Sequence, residues 1–432
     1  MTYYDSLAYL ESLNTFGIKL GLSRIERLAE ILGHPERRYK TIHVTGTNGK
    51  GSVSCMTAEI LQRSGLRTGL YTSPHLFSYT ERFKVNGEEI SESDFADCLE
   101  RVKKAVEQMI SEGEESPTQF EVLTALAFLW FAEQKVDYAV IEVGLGGLLD
   151  STNIITPVLS VITNVTLEHA DRCDGTLEGV ARHKSGIIKQ GVPVITAADG
   201  MPLDIIRKTA EEKDAELFVR GRDFTSDFVR FHETVQELTL SSESLGVRSL
   251  HYDLSLLGDY QIANSSLAVM ASVLLSRTEP SITPAAMQEA LKNAVWPGRF
   301  EDMSIGSQHI RVDGAHNPAG IKALREALDR YYPDMPRVFL MGILKDKAID
   351  EMLEELLRPE DTLVATLPDS PRAAEPELLV EKAEVRHGEA EADNVKALDR
   401  ALELSGEGTL LVCAGSLYLI GGLRQLLLQK EH

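Results

Sequence analysis

Cysteine is scarce and scattered: four in 432 residues, at 55, 98, 173 and 413, with no C-x-x-C pair. That excludes a disulfide-stapled fold and a zinc ribbon, and it fits reduced thiols in a cytosolic compartment. Basic residues are outnumbered, 44 Lys and Arg against 66 Asp and Glu, for a net charge of −22. Nucleic acid and anionic membranes are bound by a basic face, so neither is expected as a partner. Any anionic substrate must then be held by local clusters of positive charge. Long apolar runs are missing too. The most apolar, Val122–Ala132, is closed by Glu133 and is too short to cross a bilayer. The opening MTYYDSLAYLESL carries Asp5 and Glu11 and no basic region, which does not describe a signal peptide. Low-complexity segments and internal repeats are absent.

What is present is enough chain for two or three domains, since single cores stop growing below this length. A hydrophobic content of 43% and a charged content of 25% are those of an ordinary globular protein. The organising stretch is Thr41–Ser54, TIHVTGTNGKGSVS. A β-branched run from Ile42 to Val44 ends in a glycine-rich turn with a lysine, and an apolar-periodic segment opens at Ser52. That order predicts buried strand, phosphate loop and helix N-terminus. Glycines 46, 49 and 51 lack the Cβ atoms that would keep backbone N–H groups off an anion. The helix adds its own N–H groups and dipole. Lys50 can neutralise β/γ-phosphate charge. The strict G-x-x-x-x-G-K-[ST] spacing is not met, because two residues separate Gly46 from Gly49 and Gly51 stands between lysine and hydroxyl. The plainer alternative is an ordinary strand-to-helix turn.

Helical spacing covers Tyr3–Leu13, and Ser23 with Glu26 predicts a capping box before a second helix ending near Gly33–Pro35. A short strand at Thr68–Tyr71 leads into Ser73-Pro74-His75, and Arg82–Ile90 reads as a hairpin turning at Asn86-Gly87. Helices follow over Glu92–Ile110 and Phe120–Gln134. Val136–Val143 and Val158–Val165 are continuous apolar runs, the signature of central parallel strands. A helix over Thr176–Ile188 carries Lys184, and Pro193–Ala197 is the next strand. This alternation predicts an α/β fold, a doubly wound, mostly parallel sheet with ligands at the strands' carboxyl ends. From Phe218 to Leu256 the pattern is alternating β, a small appendage, and Gln261–Leu275 is a helix. Val295-Trp296-Pro297-Gly298 reads as a joint, giving domains 1–295 and 296–432. Beyond it strands Ile310–Val312, Val338–Met341, Thr362–Ala365 and Leu410–Cys413 alternate with helices, a smaller C-terminal Rossmann-like α/β domain. Acids and prolines blur the pattern over Pro368–Gly388.

Ser73, Glu142 and His169 fall at strand ends, where oxygen and imidazole ligands for a hard cation beside a phosphate would be needed. Taken singly each also has a structural reading: a turn serine, a backbone cap, a hydrogen-bonded histidine. In combination the blocks are specific. HVTGTNGKGS at 43–52, YTSPHL at 71–76, ERF-x-VNG at 81–87, T-x-FE at 118–121, EVGLGG-x-LD-x-TN at 142–153, KSGIIK at 184–189, WPGRFE at 296–301 and DGAHNP at 313–318 occur in that order. With the terminal GSLYLIGGLR, they resemble the bacterial folylpolyglutamate synthases/dihydrofolate synthases of the Mur ligase superfamily over nearly the whole chain.

The resemblance implies a cytoplasmic, monomeric, ATP-dependent ligase that joins L-glutamate to dihydropteroate or a reduced folate through an acyl phosphate. ATP would be held between an N-terminal P-loop domain and a C-terminal Rossmann-like domain. By motif, Asn48, Gly49, Lys50, Gly51 and Ser52 hold phosphates, and Asn264, Arg299, Asp313 and His316 complete the nucleotide site. Ser73, Glu142 and His169 match magnesium ligands. Lys184 matches a lysine that carries a carbamate, which binds a second magnesium; its alternative is a helix-surface salt bridge. Pro74, Thr118, Phe120 and Glu121, with Leu149, Asp150 and Ser151, match the pterin-side pocket, where Phe120 either stacks on a flat heterocycle or packs in the core. Lys50, Lys184 and His316 are the candidate catalytic residues, and no base for the amine is nominated.

The chain departs from the family pattern at Leu148 for arginine, Glu168 for aspartate, His183 for glutamate and Tyr260 for histidine. Arg172 is the cation expected to compensate for Leu148. A Mur-type peptidoglycan precursor ligase and a catalytically silent nucleotide-binding paralogue are the rival readings. The first is disfavoured by the GKGS loop and by the lack of a UDP-binding domain ahead of it.

Overall fold

The computed structural model describes residues 1–13, 19–167, 175–232 and 234–431. The chain divides into two compact units, Met1–Ser255 with Ile262–Ala294, and Leu256–Gln261 with Val295–His432.

The first unit is built on strands β1 (Lys40–Thr45), β2 (Thr68–Tyr71), β3 (Phe83–Val85), β4 (Glu88–Glu89), β5 (Tyr138–Glu142), β6 (Leu159–Ile162), β7 (Val194–Thr196) and β8 (Leu217–Val219). Their order is β4-β3-β2-β5-β1-β6-β7-β8. All neighbours from β2 to β8 pair in parallel, and β3 and β4 close one edge as an antiparallel hairpin. Asn86 and Gly87 both take positive φ at its turn, as a two-residue hairpin demands. The central strands β5, β1 and β6 are buried along nearly their whole length, and β5 accordingly runs apolar from Tyr138 to Ile141, while β1 carries the buried polar side chains Thr41, His43 and Thr45 on one face. After β1 the chain crosses to β2, returns to β5, and only then passes to the far side at β6. The sheet therefore reverses its winding around β1, and the carboxyl ends of β5, β1 and β6 frame a crevice.

Helix Gln119–Glu133 is buried on every side from Glu121 to Phe131, which accounts for the apolar run noted in the sequence. It packs with helix Glu92–Ser111 in a core holding Tyr71, Phe83, Phe95, Phe128 and Phe131. Truncating one of these rings to alanine would cost about 3–5 kcal/mol. Strands β9 (Thr225–His232), β10 (Val235–Ser242) and β11 (Val247–Leu254) form a separate antiparallel sheet. The β segment starting near Phe218 is thus split, since Leu217–Val219 joins the main sheet and the appendage begins at Thr225.

The second unit carries β12 (Glu301–Ile305), β13 (Gln308–Val312), β14 (Arg337–Met341), β15 (Thr362–Ala365), β16 (His387–Ala390) and β17 (Leu410–Ala414), in the order β12-β13-β17-β14-β15-β16. Pairing is parallel from β13 to β16, with β12 antiparallel at the edge. The blurred stretch contains a helix, Pro376–Lys382, and β16.

Three boundaries differ from the sequence reading. Ser23 does not cap its helix: Leu22 already has helical angles, so Ser23 sits inside the first turn and no side chain caps it. The helix after the phosphate loop begins at Lys50 and not Ser52, because glycine and lysine carry no apolar periodicity to announce it. The Lys184 helix runs Leu177–Ser185 and closes at Gly186, short of Ile188.

Candidate active site

The loop after β1 is shaped by two glycines that nothing else can replace. Gly46 and Gly49 have φ of +150° and +85°. A Cβ on Gly46 would lie 1.8 Å from Thr163 Oγ1, and one on Gly49 would lie 2.2 Å from Asn264 Oδ1. The loop is pinned to the end of β6. Thr47 N–H donates to Asn164 O and Asn48 N–H to Asn164 Oδ1, both at 2.9 Å, and Thr163 Oγ1 donates to Asn48 O at 2.6 Å. Helix Lys50–Arg63 has Gly49 as its N-cap residue, which makes no side-chain cap hydrogen bond, and the helix N-terminus with its dipole lies at the loop. Ser52 is buried in that first turn. Lys50 Nζ donates to the carbonyls of Gly46 and Thr47, each at 3.0 Å, which holds the ammonium over the loop.

A cavity opens there, lined by Thr45, Gly46, Thr47, Lys50, Val143, Gly144, Leu145, Gly146, Val180 and Lys184. Two residues 134 positions apart in the chain, Lys50 and Lys184, thus line one cavity. Lys184 is only 6% exposed, on the last turn of its helix. That helix end is tied to the facing loop, since Leu148 N–H donates to His183 O at 2.7 Å. Glu142, 4% exposed at the end of β5, accepts the Ser73 N–H at 3.1 Å, so two of the predicted metal ligands are adjacent. Both offer hard oxygen, the donor type magnesium takes. His169, Glu168 and Arg172 lie outside the described residues. Among the described residues no cluster of three His, Cys, Asp or Glu side chains forms a metal site.

The pterin-side residues are placed unevenly. Phe120 lies across Gly144, where an added Cβ would come 2.4 Å from its ring, and stacks near Tyr71 at 6.3 Å and 26°. Thr118 and Glu121 form a reciprocal capping box, and Glu121 also receives Arg24 Nε at 3.1 Å. Both are largely occupied with structure. Asp150 is buried and accepts backbone N–H from Leu145 and Thr152, while Ser151 bonds Thr124 at 2.9 Å. Leu149 is half-buried and Pro74 exposed.

In the second unit, Asp313 is buried after β13 and accepts N–H from Phe300 at 2.7 Å and Ala315 at 2.8 Å. Burial raises its pKa, against the pull of Arg299 and of those two donors. His316 Nδ1 lies 2.7 Å from Gly314 O, which fixes the proton on Nδ1. Burial also raises the Tyr260 hydroxyl pKa, helped by Asp313.

One cation escaped the sequence reading. Arg82 Nε donates to His75 Nδ1 at 2.8 Å, and the guanidinium lies 5.3 Å from the Tyr79 ring centre. Arg82 forms no ion pair with a carboxylate among the described residues, and burial lowers its pKa, although Tyr71, Tyr79 and Glu142 favour the charged form. The ERF block contained it, but a charged residue next to a hairpin reads as solvated until its burial is known.

The chain matches the Mur ligase middle domain over residues 44–272 and the Mur ligase glutamate ligase domain over 298–417. It is 32% identical to the Bacillus subtilis dihydrofolate synthase/folylpolyglutamate synthase, over 98% of this chain and 99% of that one. The folylpolyglutamate synthase structure from Thermotoga maritima superposes with a TM-score of 0.87 at 34% identity, covering 99% of this chain and 96% of that one. Escherichia coli FolC in complex with DHPP and ADP gives 0.86 at 28%, covering 100% and 99%.

Proposed function

Because the chain belongs to the dihydrofolate synthase/folylpolyglutamate synthase family of Mur ligases, we propose that it is an ATP-dependent amide ligase adding L-glutamate to folate-type acceptors. The observation that carries this reading is the cavity that Lys50 and Lys184 share beneath a glycine loop and an uncapped helix N-terminus.

A carboxylate does not react with an amine at neutral pH. Transfer of the γ-phosphoryl group of ATP to the acceptor carboxylate gives an acyl phosphate and ADP. The glutamate α-amine then attacks the acyl carbon and phosphate leaves. Asn48, Gly49, Gly51 and Ser52 hold the phosphates, and Lys50 compensates charge that spreads in transfer. Asn264, against Gly49, and Arg299, Asp313 and His316 of the second unit are the further nucleotide contacts. Magnesium, held by Ser73, Glu142 and His169, with a second ion at carbamylated Lys184, would supply Lewis-acid stabilisation of the same charge. Carbamylation turns the Lys184 ammonium into an oxygen ligand.

Phe120 offers a ring for a pterin to stack on, with Pro74, Leu149, Asp150 and Ser151 beside it and Thr118 and Glu121 holding its helix. Leu148, 43% exposed, leaves the acceptor side short of a cation. Arg82, half-buried and in no carboxylate ion pair among the described residues, takes the acceptor's carboxylate end together with Arg172, the cation expected there from sequence position. The enzyme works as a cytoplasmic monomer, on dihydropteroate, reduced folates or both.

Phosphate release from ATP, assayed with dihydropteroate and with tetrahydrofolate, tests the reading. Release requires both acceptor and glutamate, and Lys50→Ala abolishes it. Release without either substrate, or with Lys50→Ala at the original rate, contradicts it.

A further inference from the structure

His43 lies in the middle of β1, paired with Ile141 and Ser160, and is fully buried. Burial, reinforced by Lys189, pushes its pKa down to about 3, so the ring is neutral and owns a single N–H. Its Nε2 is 2.8 Å from Thr152 Oγ1, and that hydroxyl is 2.6 Å from Asp150 Oδ1. Asp150 also accepts N–H from Thr152 at 3.0 Å and from Leu145 at 2.8 Å. A carboxylate receiving several donors is the acceptor in each contact, so the one proton of Thr152 goes to Asp150. The Thr152 oxygen must then receive a proton from His43, which fixes the Nε2–H tautomer.

The other nitrogen, Nδ1, is left bare and buried, with no hydrogen-bond partner among the described residues. A half-satisfied ring inside a parallel sheet is a poor choice for packing alone, where an aliphatic side chain would carry no unmet polar atom. Its use lies at Nε2. The chain of bonds runs from β1 through Thr152 and Asp150 to the Leu145 amide, in the loop Gly144–Gly147. Two residues along the same face of β1, Thr45 Oγ1 donates to Gly146 O at 2.7 Å. The strand that launches the phosphate loop thus holds the Gly144–Gly147 loop, which also lines the Lys50–Lys184 cavity, at two points.

We propose that His43 is a positioning residue for phosphoryl transfer, acting through Thr152 and Asp150 on the Gly144–Gly147 loop. The proposal rests on the ligase reading above, and His43 itself touches no substrate. Thr152→Val keeps the side-chain volume and removes the hydroxyl. It is expected to lower kcat by about tenfold or more with the acceptor KM within about twofold, because the loop lines the Lys50–Lys184 cavity. Hydrogen exchange at the Leu145 amide should quicken by about tenfold in the same variant. Thr152→Ser should restore both, and His43→Leu should reproduce the valine variant. Wild-type kcat with unchanged Leu145 exchange in Thr152→Val would overturn the proposal, as would equal losses in Thr152→Ser. A wild-type protein that fails to ligate glutamate would refute the ligase reading, while the Leu145 exchange still decides the bond chain.

Discussion

At the scale of single residues, the site is a problem of charge placed in a protein of net charge −22. Lys184 is the sharpest case. If it carries the carbamate proposed above, Lys184→Ala loses most activity, and acetate at high concentration returns part of it by replacing the lost carboxylate. Mass spectrometry and crystallography of the magnesium-loaded protein check the modification; a bare ammonium remote from metal contradicts it. Arg82 makes a second, independent claim. Arg82→Gln should raise the acceptor KM by about tenfold or more, the loss of one charge-assisted contact, with the KM for ATP unchanged. A rise confined to ATP would reassign the cation. His43 adds a stability signature. Its folded pKa of about 3 is below the unfolded value near 6.5, so the unfolded chain binds the extra proton. The contribution is intact above that unfolded value and is lost as pH falls from there toward 3, at about 1.4 kcal/mol per pH unit. Urea unfolding of His43→Gln between pH 7 and pH 5 should show a slope shallower than the wild type by about 0.7 proton on average, approaching one toward pH 5.

At the scale of elements, the sequence was most legible where one physical demand dominated. Continuous apolar runs announced β5 and β6, because strands covered on both faces leave little room for alternation, and β1 was announced by its β-branched run before the glycine loop. The glycine loop announced itself because Gly46 and Gly49 occupy angles and spaces that no side chain tolerates. Gly46→Ala is therefore expected to displace Thr163 and weaken ADP binding by about a hundredfold, with a stability loss of about 1–3 kcal/mol from backbone strain. Calorimetric titration checks it, and wild-type affinity would show that the loop's path is unimportant. Less was legible where side chains serve two masters. The T-x-FE block was read for its ligand, yet Thr118 and Glu121 are committed to a helix cap and to Arg24. The Ser23 cap failed for the opposite reason: its spacing is right, but Leu22 enters the helix first. Helices Gly200–Glu212, Pro284–Lys292 and Leu417–Glu431 and the edge strand β12 went unread, as no loop motif marks them.

At the scale of the whole molecule, family resemblance and physics were separable contributions. Residue types and spacing alone predicted a phosphate loop on a wound parallel sheet. The ordered blocks supplied what geometry could not, the amide-forming reaction and its folate acceptor. The bond chain from His43 to Leu145 was visible to neither, since it needs the three-dimensional register of β1 against the segment 144–152. The central claim is that ATP activates the acceptor as an acyl phosphate. It is tested most directly by following oxygen from an acceptor whose carboxylate is labelled with oxygen-18. In the presence of ATP and glutamate, the released phosphate should carry one labelled oxygen, and the other product of ATP should be ADP. Unlabelled phosphate, or release of AMP and pyrophosphate, would contradict the account.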